Sequence, residues 1–435
     1  MSLERSPRKR KITPSDISLP PGFQIDVFEE GLTTPINLIL TDRGEMLLAD
    51  AGVATGNGRV LRRSGGRFEV MAEGFTPPLT GITYHKGDIY VAHRGSVTQL
   101  KTDGSKTDIL TGLPSFGDHH NNRVVFGRDG KMYFGQGTAT NTGVVGKDND
   151  WIKKHPCVAD VPGEDVLLKG QNFVTENLLA YGKEKAKTGA FAPFGSPAYP
   201  DEIVKGNVRA SGSILRANPD GTGLELVAWG LRNPFRMRFD KNNQLFSTNH
   251  GMDVRGSRPV ANSPDDLWII WPDVWYGWPD YTGGRPVTDR RFKPEGKPQP
   301  EFLLKTHPNI PPKPFAAFAP HSAPMGFDFI PNETFGTPGD IMVAEFGAAD
   351  PHGKESPRNV GHRVSRIDMR KHAIHPFAIN KSGFPASYTD GGGLERPIDI
   401  LFGTNRELFI VDFAMEGKEY EYTAETGVIW RVTRK

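Results

Sequence analysis

One hairpin pattern occurs six times along this chain, and it constrains the fold more than any other feature. In each copy an apolar strand is followed, about ten residues later, by a second strand written as turn, hydrophobic pair and small residues. The second strands read GEMLLADAG, GDIYVAHRG, GKMYFGQGT, NQLFSTNHG, GDIMVAEFG and RELFIVDFA. Hairpins at a period of roughly 40 residues are typical of propeller blades, because one four-stranded sheet cannot bury both faces alone. The sequence predicts an all-β, six-bladed β-propeller with long inter-strand loops.

A second strand pattern, G-x-[VI]-x-[RQ], predicts how the propeller closes. Its copies start at Gly58, Gly95, Gly212 and Gly427. Because the last copy ends the chain, we expect it to complete a blade that the N-terminal segment begins. No 3.6-residue apolar period persists long enough for a major helix, and 50 Gly and 36 Pro fit a chain that turns often. We expect a flexible N-terminal tail at residues 1–18 and a single propeller domain at residues 19–435.

Composition argues against several classes of protein. The net charge is +2 and the Lys and Arg are scattered, so no basic footprint for nucleic acid appears outside residues 5–11. The single cysteine, Cys157, excludes an internal disulfide and any Cys-based zinc or haem site of the usual spacing. No apolar run reaches the roughly 18 residues of a membrane span, and no signal-type apolar core follows the charged N-terminus. We expect a soluble chain with no membrane span, no nucleic-acid partner and no signal peptide in this sequence.

Two long segments interrupt the repeat, at residues 138–209 and 251–320. Loops of this length in a compact domain are usually functional or disordered. The second segment is rich in large aromatic side chains: Trp268, Trp271, Trp275, Tyr276 and Trp278. These side chains either wall a sugar-sized cleft or pack between neighbouring blades, and the sequence leaves both interpretations open.

Side chains that could take part in catalysis are concentrated at the start of the third blade, where a propeller opens its central channel. Asp118, His119 and His120 directly precede that blade's first strand. A carboxylate beside a His raises its basicity, which suits a general base near neutral pH. At the corresponding place in the next blade, GLRNP presents Arg232 and Asn233. A guanidinium and an amide there are donors for an anionic or carbonyl oxygen.

These residues resemble a known family, the soluble PQQ-dependent aldose (glucose/sorbosone) dehydrogenases, which are six-bladed propellers. The resemblance runs from about Leu19 to the end of the chain. Its motifs are LPPGF, the Asp118-His119 block with Arg123 and DGK, GLRNP, an acidic pair before YGWP, and TGVIWRV. It implies a quinoprotein sugar dehydrogenase with PQQ and calcium, which passes hydride from an aldose or related sugar hydroxyl or aldehyde to PQQ. It also implies an external electron acceptor and a periplasmic or secreted location.

The resemblance assigns roles to residues of this chain. His119 would be the catalytic base that takes the hydroxyl proton, with Asp118 as its orienting neighbour. Arg232 and Asn233 would lie against the quinone oxygens. Arg232 would also count as a catalytic residue. The other implied cofactor-binding residues are Gln136 and Arg396. The implied calcium site comprises the backbone carbonyls of Gly251 and Met252, together with the acidic pair Asp265 and Asp266.

Three positions depart from the family pattern. A Gln that family members present from the second blade has no counterpart in TPPLTG, and the Lys of the fifth blade is replaced within NVGHRVSRI. The Arg pair of the last blade is reduced to Arg396. Because PQQ carries three carboxylates, this chain offers the cofactor fewer cationic partners.

Three other functions stay open on the residues. Imidazoles are common ligands of transition metals, so a transition-metal centre in the channel is the main alternative. Its ligands would come, beside His119, from His120, His250, His321 and His362. A calcium-dependent lactonase or related hydrolase would draw on Asn233 and Asp399. A pure binding propeller would need neither the Asp-His block nor the Arg-Asn pair.

Overall fold

Strands dominate the computed structural model of this chain, which describes residues 10–180, 182, 184–348, 360–416 and 421–435. The helices that it contains there are short 3-10 turns: Pro14–Asp16, Asp150–Lys153, Arg290–Phe292 and Ala386–Tyr388. Among these described residues, no helix has the length and apolarity to cross a membrane.

The strands form six main sheets, the blades, numbered here in chain order. The chain first supplies β1 (Ile17–Ser18) and β2 (Phe23–Leu32). Blade one holds β3 (Pro35–Leu40), β4 (Met46–Asp50), β5 (Gly58–Ser64) and β6 (Arg67–Phe75). Blade two holds β7 (Leu79–His85), β8 (Asp88–His93), β9 (Ser96–Leu100) and β10 (Lys106–Leu110).

Blades three and four contain extra strands in their loops. Blade three begins with β11 (Val125–Phe126) and β12 (Met132–Gln136). The loop strands β13 (Val166–Leu167), β14 (Asn172–Glu176), β15 (Lys185–Gly189) and β16 (Ile203–Val204) precede its last two strands, β17 (Ser213–Ala217) and β18 (Glu225–Trp229). Blade four holds β19 (Pro234–Phe239), β20 (Leu245–Asn249) and β21 (Asp265–Ile270), then the hairpin β22 (Tyr281–Thr282) and β23 (Arg285–Pro286), and finally β24 (Ala316–Phe318).

The last two blades recruit strands from the start of the chain. Blade five holds β25 (Pro324–Phe329), β26 (Ile341–Glu345), β27 (Arg363–Asp368) and β28 (Ala373–Asn380), with β1 added as a fifth strand. Blade six holds β29 (Pro397–Phe402), β30 (Leu408–Asp412) and β31 (Gly427–Arg434). Its fourth strand is β2, in the order β2-β31-β30-β29, with Val27 opposite Trp430. The predicted closure of a blade by the two ends of the repeat is confirmed.

The sheet topology confirms the predicted all-β, six-bladed propeller. Each predicted hairpin forms the first two strands of one blade, and the pattern that starts at Gly58, Gly95, Gly212 and Gly427 forms the third strand of blades one, two, three and six. Burial is almost continuous along the second strands β4, β12, β20, β26 and β30. Strands buried on both faces explain why the second strand of every hairpin is almost wholly apolar or small.

Two compact units divide the described chain. The first comprises Met1–Val91, Leu100–Ser105 and Phe318–Lys435, and the second comprises Ala92–Gln99 and Lys106–Ala317. Side-chain hydrogen bonds join adjacent blades within each unit. In the first unit, Asn37 of β3 donates to Asp399 of β29 at 2.5 Å. In the second, Asn122 Nδ2 donates to the carbonyl of Pro234, the first residue of β19, at 3.0 Å.

The segment before β2 contacts the first unit. Its strand β1 pairs with β28, and the buried side chain of Arg10 forms an ion pair with Asp412. Part of the predicted tail, residues 10–18, is therefore packed, while residues 1–9 lie outside the described residues. The division at residue 18 and the single domain that follows it stay predictions.

The two interrupting segments have different roles in the fold. Residues 138–209 form two small sheets, β13-β16 and β14-β15, whereas residues 251–320 contain β21 and β24, two strands of blade four itself. Of the five aromatic side chains singled out in the second segment, Trp271 is 52% exposed and the other four are at most 3% exposed. The buried ones are Trp268, Trp275, Tyr276 and Trp278. They belong to the hydrophobic clusters of the second unit, which supports the packing interpretation.

Candidate functional site

His119 lies beside the end of β12 in the second unit. Its backbone N–H donates to the carbonyl oxygen of Thr138 at 3.1 Å, and its Nδ1 lies 2.9 Å from the same oxygen. The N–H of Thr138 donates in turn to the carbonyl of Arg232 at 2.9 Å. Thr138, which the sequence did not single out, therefore joins the predicted base to the segment that begins β19.

These contacts determine which nitrogen of His119 is basic. A carbonyl oxygen only accepts, so the proton of the neutral ring lies on Nδ1 and the lone pair lies on Nε2. Burial lowers the pKa of His119 well below 6.5, and the charges of Arg232, Arg255 and His250 lower it further. The predicted rise in basicity is wrong, since desolvation and positive charge outweigh the neighbouring carboxylate. The imidazole is neutral near pH 7.

Asp118 is held by other groups than the imidazole next to it. Its carboxylate accepts hydrogen bonds from Arg255 Nη2 at 2.6 Å, Asn149 Nδ2 at 2.9 Å and Trp151 Nε1 at 2.7 Å. The His119 ring donates to Thr138 instead. The role of orienting neighbour, predicted for Asp118, thus belongs to a backbone carbonyl in this structure.

Arg255 is the main residue of the site that sequence reasoning missed. Besides Asp118 it binds Asp148 through Nη1 at 2.7 Å, and its Nε lies 3.3 Å from Asp253. Asp253 in turn accepts from Arg232 Nη2 at 2.7 Å. Through the carboxylates of Asp118 and Asp253, Arg255 therefore links the Asp118-His119 block to Arg232. The only local signal for it is the charge alternation in MDVRG, which is common on protein surfaces.

Arg232 and Asn233 are fixed by one asparagine. Both backbone N–H groups donate to Asn249 Oδ1 at 3.0 Å. These two bonds fix the orientation of the pair at the start of β19. The Asn233 Nδ2 lies 3.0 Å from His250 Nδ1. Arg232 is buried, and this burial lowers its pKa despite the attraction of Asp253.

A glycine allows the base and the amide to approach each other. A Cβ added to Gly137 would lie 2.3 Å from the Cβ of His119 and 3.0 Å from Asn233 Oδ1. Real Cβ atoms do not come so close, so only glycine leaves room for both side chains here. The structure thus brings together three sequence-predicted residues, His119, Arg232 and Asn233.

Gln136 supports the site from inside blade three. It is fully buried, and its amide nitrogen donates to the carbonyls of Pro114 at 3.0 Å and Gly137 at 3.1 Å. Ser115 Oγ donates to its oxygen at 3.3 Å. These bonds hold the loops around His119 together. They also occupy the side-chain amide of Gln136, which was predicted to contact the cofactor.

The four residues predicted to hold calcium lie close together. Asp265 Oδ1 accepts from the N–H of Gly251 at 2.7 Å, while the N–H of Met252 donates to Ser263 Oγ at 2.7 Å. Asp266 is buried, and this burial together with the charge of Asp265 raises its pKa well above 3.8. Asp265 therefore anchors the turn that carries the two predicted carbonyl ligands.

Arg396 lies in the first unit. Its side chain is completely buried, pairs with Glu416 at 2.6 Å, and donates to the carbonyls of Gly347 at 3.2 Å and Ala348 at 2.5 Å. His362 lies in the same unit with its Nδ1 2.9 Å from the carbonyl of Glu395. Burial and then the charge of Arg396 lower the pKa of His362 well below its ordinary value.

The histidines predicted as transition-metal ligands are bonded one by one to other groups. His120 Nδ1 lies 2.9 Å from the carbonyl of Ser115, and burial lowers its pKa to about 4. His250 contacts Asn233, His362 contacts Glu395, and His321 is half-buried. In the part of the chain that the structure describes, no three His, Cys, Asp or Glu side chains are grouped so that they could hold a metal ion.

A small cavity adjoins Arg232 in the second unit. It is lined by blade four and the hairpin β22-β23, and its polar lining residues include Arg232, His250 and Asp266. Gly251 and Met252 line it as well, which places the predicted calcium carbonyls beside it. Buried aromatic rings, among them Trp268, complete the wall.

The fold is shared with solved structures of sugar dehydrogenases. A PQQ-bound aldose sugar dehydrogenase from Streptomyces coelicolor is 17% identical, with a TM-score of 0.54 over 96% of this chain and 100% of that one. The holo PQQ domain of pyranose dehydrogenase from Coprinopsis cinerea is 13% identical, with a TM-score of 0.59 over 98% of both chains. A calcium structure of a Trichoderma reesei enzyme of Carbohydrate-Active Enzymes family AA12 is also 13% identical, with a TM-score of 0.59 over 98% of this chain and 99% of that one.

These similarities confirm the fold that the motif resemblance implied. No family model and no curated protein matches the chain.

Proposed function

We propose that this chain is an oxidoreductase that oxidises an aldose or a related sugar at a hydroxyl or aldehyde carbon. The observation that carries the proposal is the contact of His119 Nδ1 with the carbonyl oxygen of Thr138 at 2.9 Å, which makes Nε2 the basic position. Burial lowers the pKa of this imidazole, which favours the neutral ring. It lies beside Arg232 and Asn233, in a fold shared with sugar dehydrogenases.

The residues of the site divide the chemistry between them. Oxidation of a sugar hydroxyl removes a proton from oxygen and a hydride from carbon. His119 Nε2 takes the proton, and because the ring is already neutral, it needs no prior deprotonation. Arg232 and Asn233 supply a positive charge and N–H donors for an oxygen that gains negative charge. When bound, PQQ supplies the acceptor for the hydride.

The donor set fits the carbonyl oxygens of such a quinone, but its three carboxylates meet cations that already have partners. In the second unit, the ion-paired arginines of the site are Arg232 and Arg255. PQQ would therefore have to exchange ion pairs or bring a counter-charge with it. Calcium is that counter-charge in this proposal, so we expect the affinity for PQQ to depend steeply on calcium.

Calcium would be held at the backbone oxygens of Gly251 and Met252. Hard oxygen ligands suit this ion, which polarises a bound carbonyl as a Lewis acid. Asp265 stabilises the turn through the N–H of Gly251 and is the supporting carboxylate of this site.

The test is reconstitution of the purified apoprotein. We expect dye-linked oxidation of an aldose only after PQQ and calcium are added, and a rise in melting temperature from PQQ with calcium in the absence of sugar. His119→Gln should lower the rate roughly a hundredfold to ten-thousandfold, the usual range for a lost base. His375→Gln, exposed on β28, is the matched control and should keep the full rate. The proposal fails if PQQ with calcium produces neither a thermal shift nor dye reduction.

The alternatives gain no support from the geometry. The residues named for a lactonase are occupied elsewhere, Asn233 by His250 and Asp399 by Asn37. The external electron acceptor and a periplasmic or secreted location stay predictions.

A further inference from the structure

Three residues around the cavity beside Arg232 carry buried polar atoms without a partner. These atoms are Arg232 Nε, Asp266 Oδ1 and Trp268 Nε1, none of which has a hydrogen-bond partner among the described residues. Nearly all buried polar groups in proteins are hydrogen-bonded, and an unpaired one is costly at low dielectric. Because all three residues line one cavity, we take this cavity as a binding position.

The size of the cavity limits what can bind. Its volume is about 20 Å³, which is enough for one water-sized group. Most of the wall is buried, including Tyr276 and Trp278, whereas His250, Tyr281 and Gly283 are half-buried and mark its side nearest to solvent. A whole sugar ring does not fit, but a single hydroxyl does.

The chemistry of the three atoms selects the kind of guest. Arg232 Nε and Trp268 Nε1 only donate hydrogen bonds, while a carboxyl oxygen such as Asp266 Oδ1 accepts them. A hydroxyl oxygen accepts two hydrogen bonds and donates one. We propose that this cavity is a subsite for one hydroxyl group, which accepts from Arg232 and Trp268 and donates to Asp266.

Charge and hydrogen bonding disfavour other guests of similar size. Between these three atoms, a metal cation would meet the guanidinium of Arg232 and two N–H groups that cannot coordinate it, whereas the calcium proposed above is assigned to the backbone oxygens of Gly251 and Met252. A halide could accept from the two N–H groups but has no hydrogen to donate to Asp266 Oδ1, which would stay unpaired. A neutral hydroxyl avoids both problems and leaves no polar atom of the three unpaired.

The hydroxyl has two possible sources, an ordered water and the substrate itself. The second source rests on the proposed function, since a sugar carries hydroxyls that reach beyond its reacting carbon. In both cases the guest would accept a hydrogen bond from Nε of Arg232, whose Nη2 already donates to Asp253.

Crystal structures of the full chain at high resolution, without and with an aldose, test the subsite directly. Without sugar we expect one ordered water within hydrogen-bond distance of Arg232 Nε, Asp266 Oδ1 and Trp268 Nε1. With sugar, replacement of that water by a substrate hydroxyl identifies the substrate as the source, and its retention identifies water. An empty cavity in both crystals, or a guest with the anomalous signal of a metal, overturns the proposal.

Kinetics of Trp268→Phe, which deletes one donor and keeps the ring, separate the two sources in solution. If the hydroxyl belongs to the sugar, KM should rise roughly two- to tenfold at unchanged kcat, the range for one lost hydrogen bond. If it is water, KM should stay unchanged. Trp271→Phe is the control, because Trp271 is 52% exposed. A chain with the water in place but no sugar oxidation would keep the subsite and reject the proposed function. If Trp268→Phe does not fold, the wild-type crystals decide alone.

Discussion

The imidazole of His119 is kept neutral by its surroundings, and this state sets how the site responds to pH. Burial is the largest cause, followed by the charges of Arg232 and Arg255. A neutral ring can accept a proton over the whole range above its lowered pKa. A base that depended on a carboxylate neighbour would instead become protonated nearer to neutral pH.

The acid limb of the activity profile should therefore lie well below pH 6.5. Replacing Arg255 with Gln removes one positive charge, so the pKa of His119 rises and the limb moves toward neutral pH. Arg291→Gln, which breaks an exposed ion pair with Asp289, is the control and should leave the limb in place. Measuring kcat/KM between pH 4 and 8 for the three proteins checks this. A limb that stays fixed in Arg255→Gln would exclude this charge as a determinant.

The buried, neutral imidazole of His120 should make the free energy of unfolding depend on pH. Its folded pKa is about 4 and its ordinary value is 6.5, so between these values the unfolded chain binds a proton that the folded chain refuses. The free energy of unfolding therefore decreases as the pH falls through this window, by about 1 kcal/mol per pH unit from this residue. In urea titrations, His120→Gln should show a correspondingly flatter dependence than wild type. An equal slope in His120→Gln and wild type would contradict the assignment.

At the scale of strands, the hairpins could be predicted because each is local, with a tight turn between two apolar runs. The third and fourth strands of blade four could not, since a long connection separates β20 from β21 and another separates β21 from β24. The same distinction applies to the site. His119, Arg232 and Asn233 precede predicted strands, whereas the ion pair of Asp118 with Arg255 joins residues 137 positions apart and leaves no sequence pattern.

The close approach at the end of β12 gives a prediction for Gly137. Its φ lies outside the left-handed region, so alanine is excluded by the short contact with His119 and Asn233 alone. Gly137→Ala should displace the base and lower kcat at least tenfold, with a smaller effect on the melting temperature. Gly391→Ala is the control, because the nearest atom to its added Cβ is Asp16 Oδ2, at the end of a side chain. A fully active, correctly folded Gly137→Ala would show that this contact does not position His119.

At the scale of the molecule, the sixth blade joins the start and the end of the described strands. Trp430 of β31 is fully buried in a cluster with residues of blades five and six, and its Nε1 donates to Asp412 at 2.9 Å. Deleting residues 427–435 removes a central strand and leaves β2 without its only neighbour in that sheet. We expect loss of cooperative unfolding in urea, because this change exceeds the few kcal/mol by which proteins are stable. Deleting residues 434–435 alone should preserve the transition, and retained cooperativity in the longer deletion would contradict the argument.

The pairing of β2 with β31 also means that β2 has to wait for its partner strand during synthesis. The two strands are separated by roughly 400 residues, which a ribosome takes on the order of 20 to 80 s to add. During that time the backbone N–H and C=O groups of this ten-residue strand lack their partner strand and can pair with other nascent chains. Folding in the cell therefore depends on keeping β2 apart from other chains until β31 emerges.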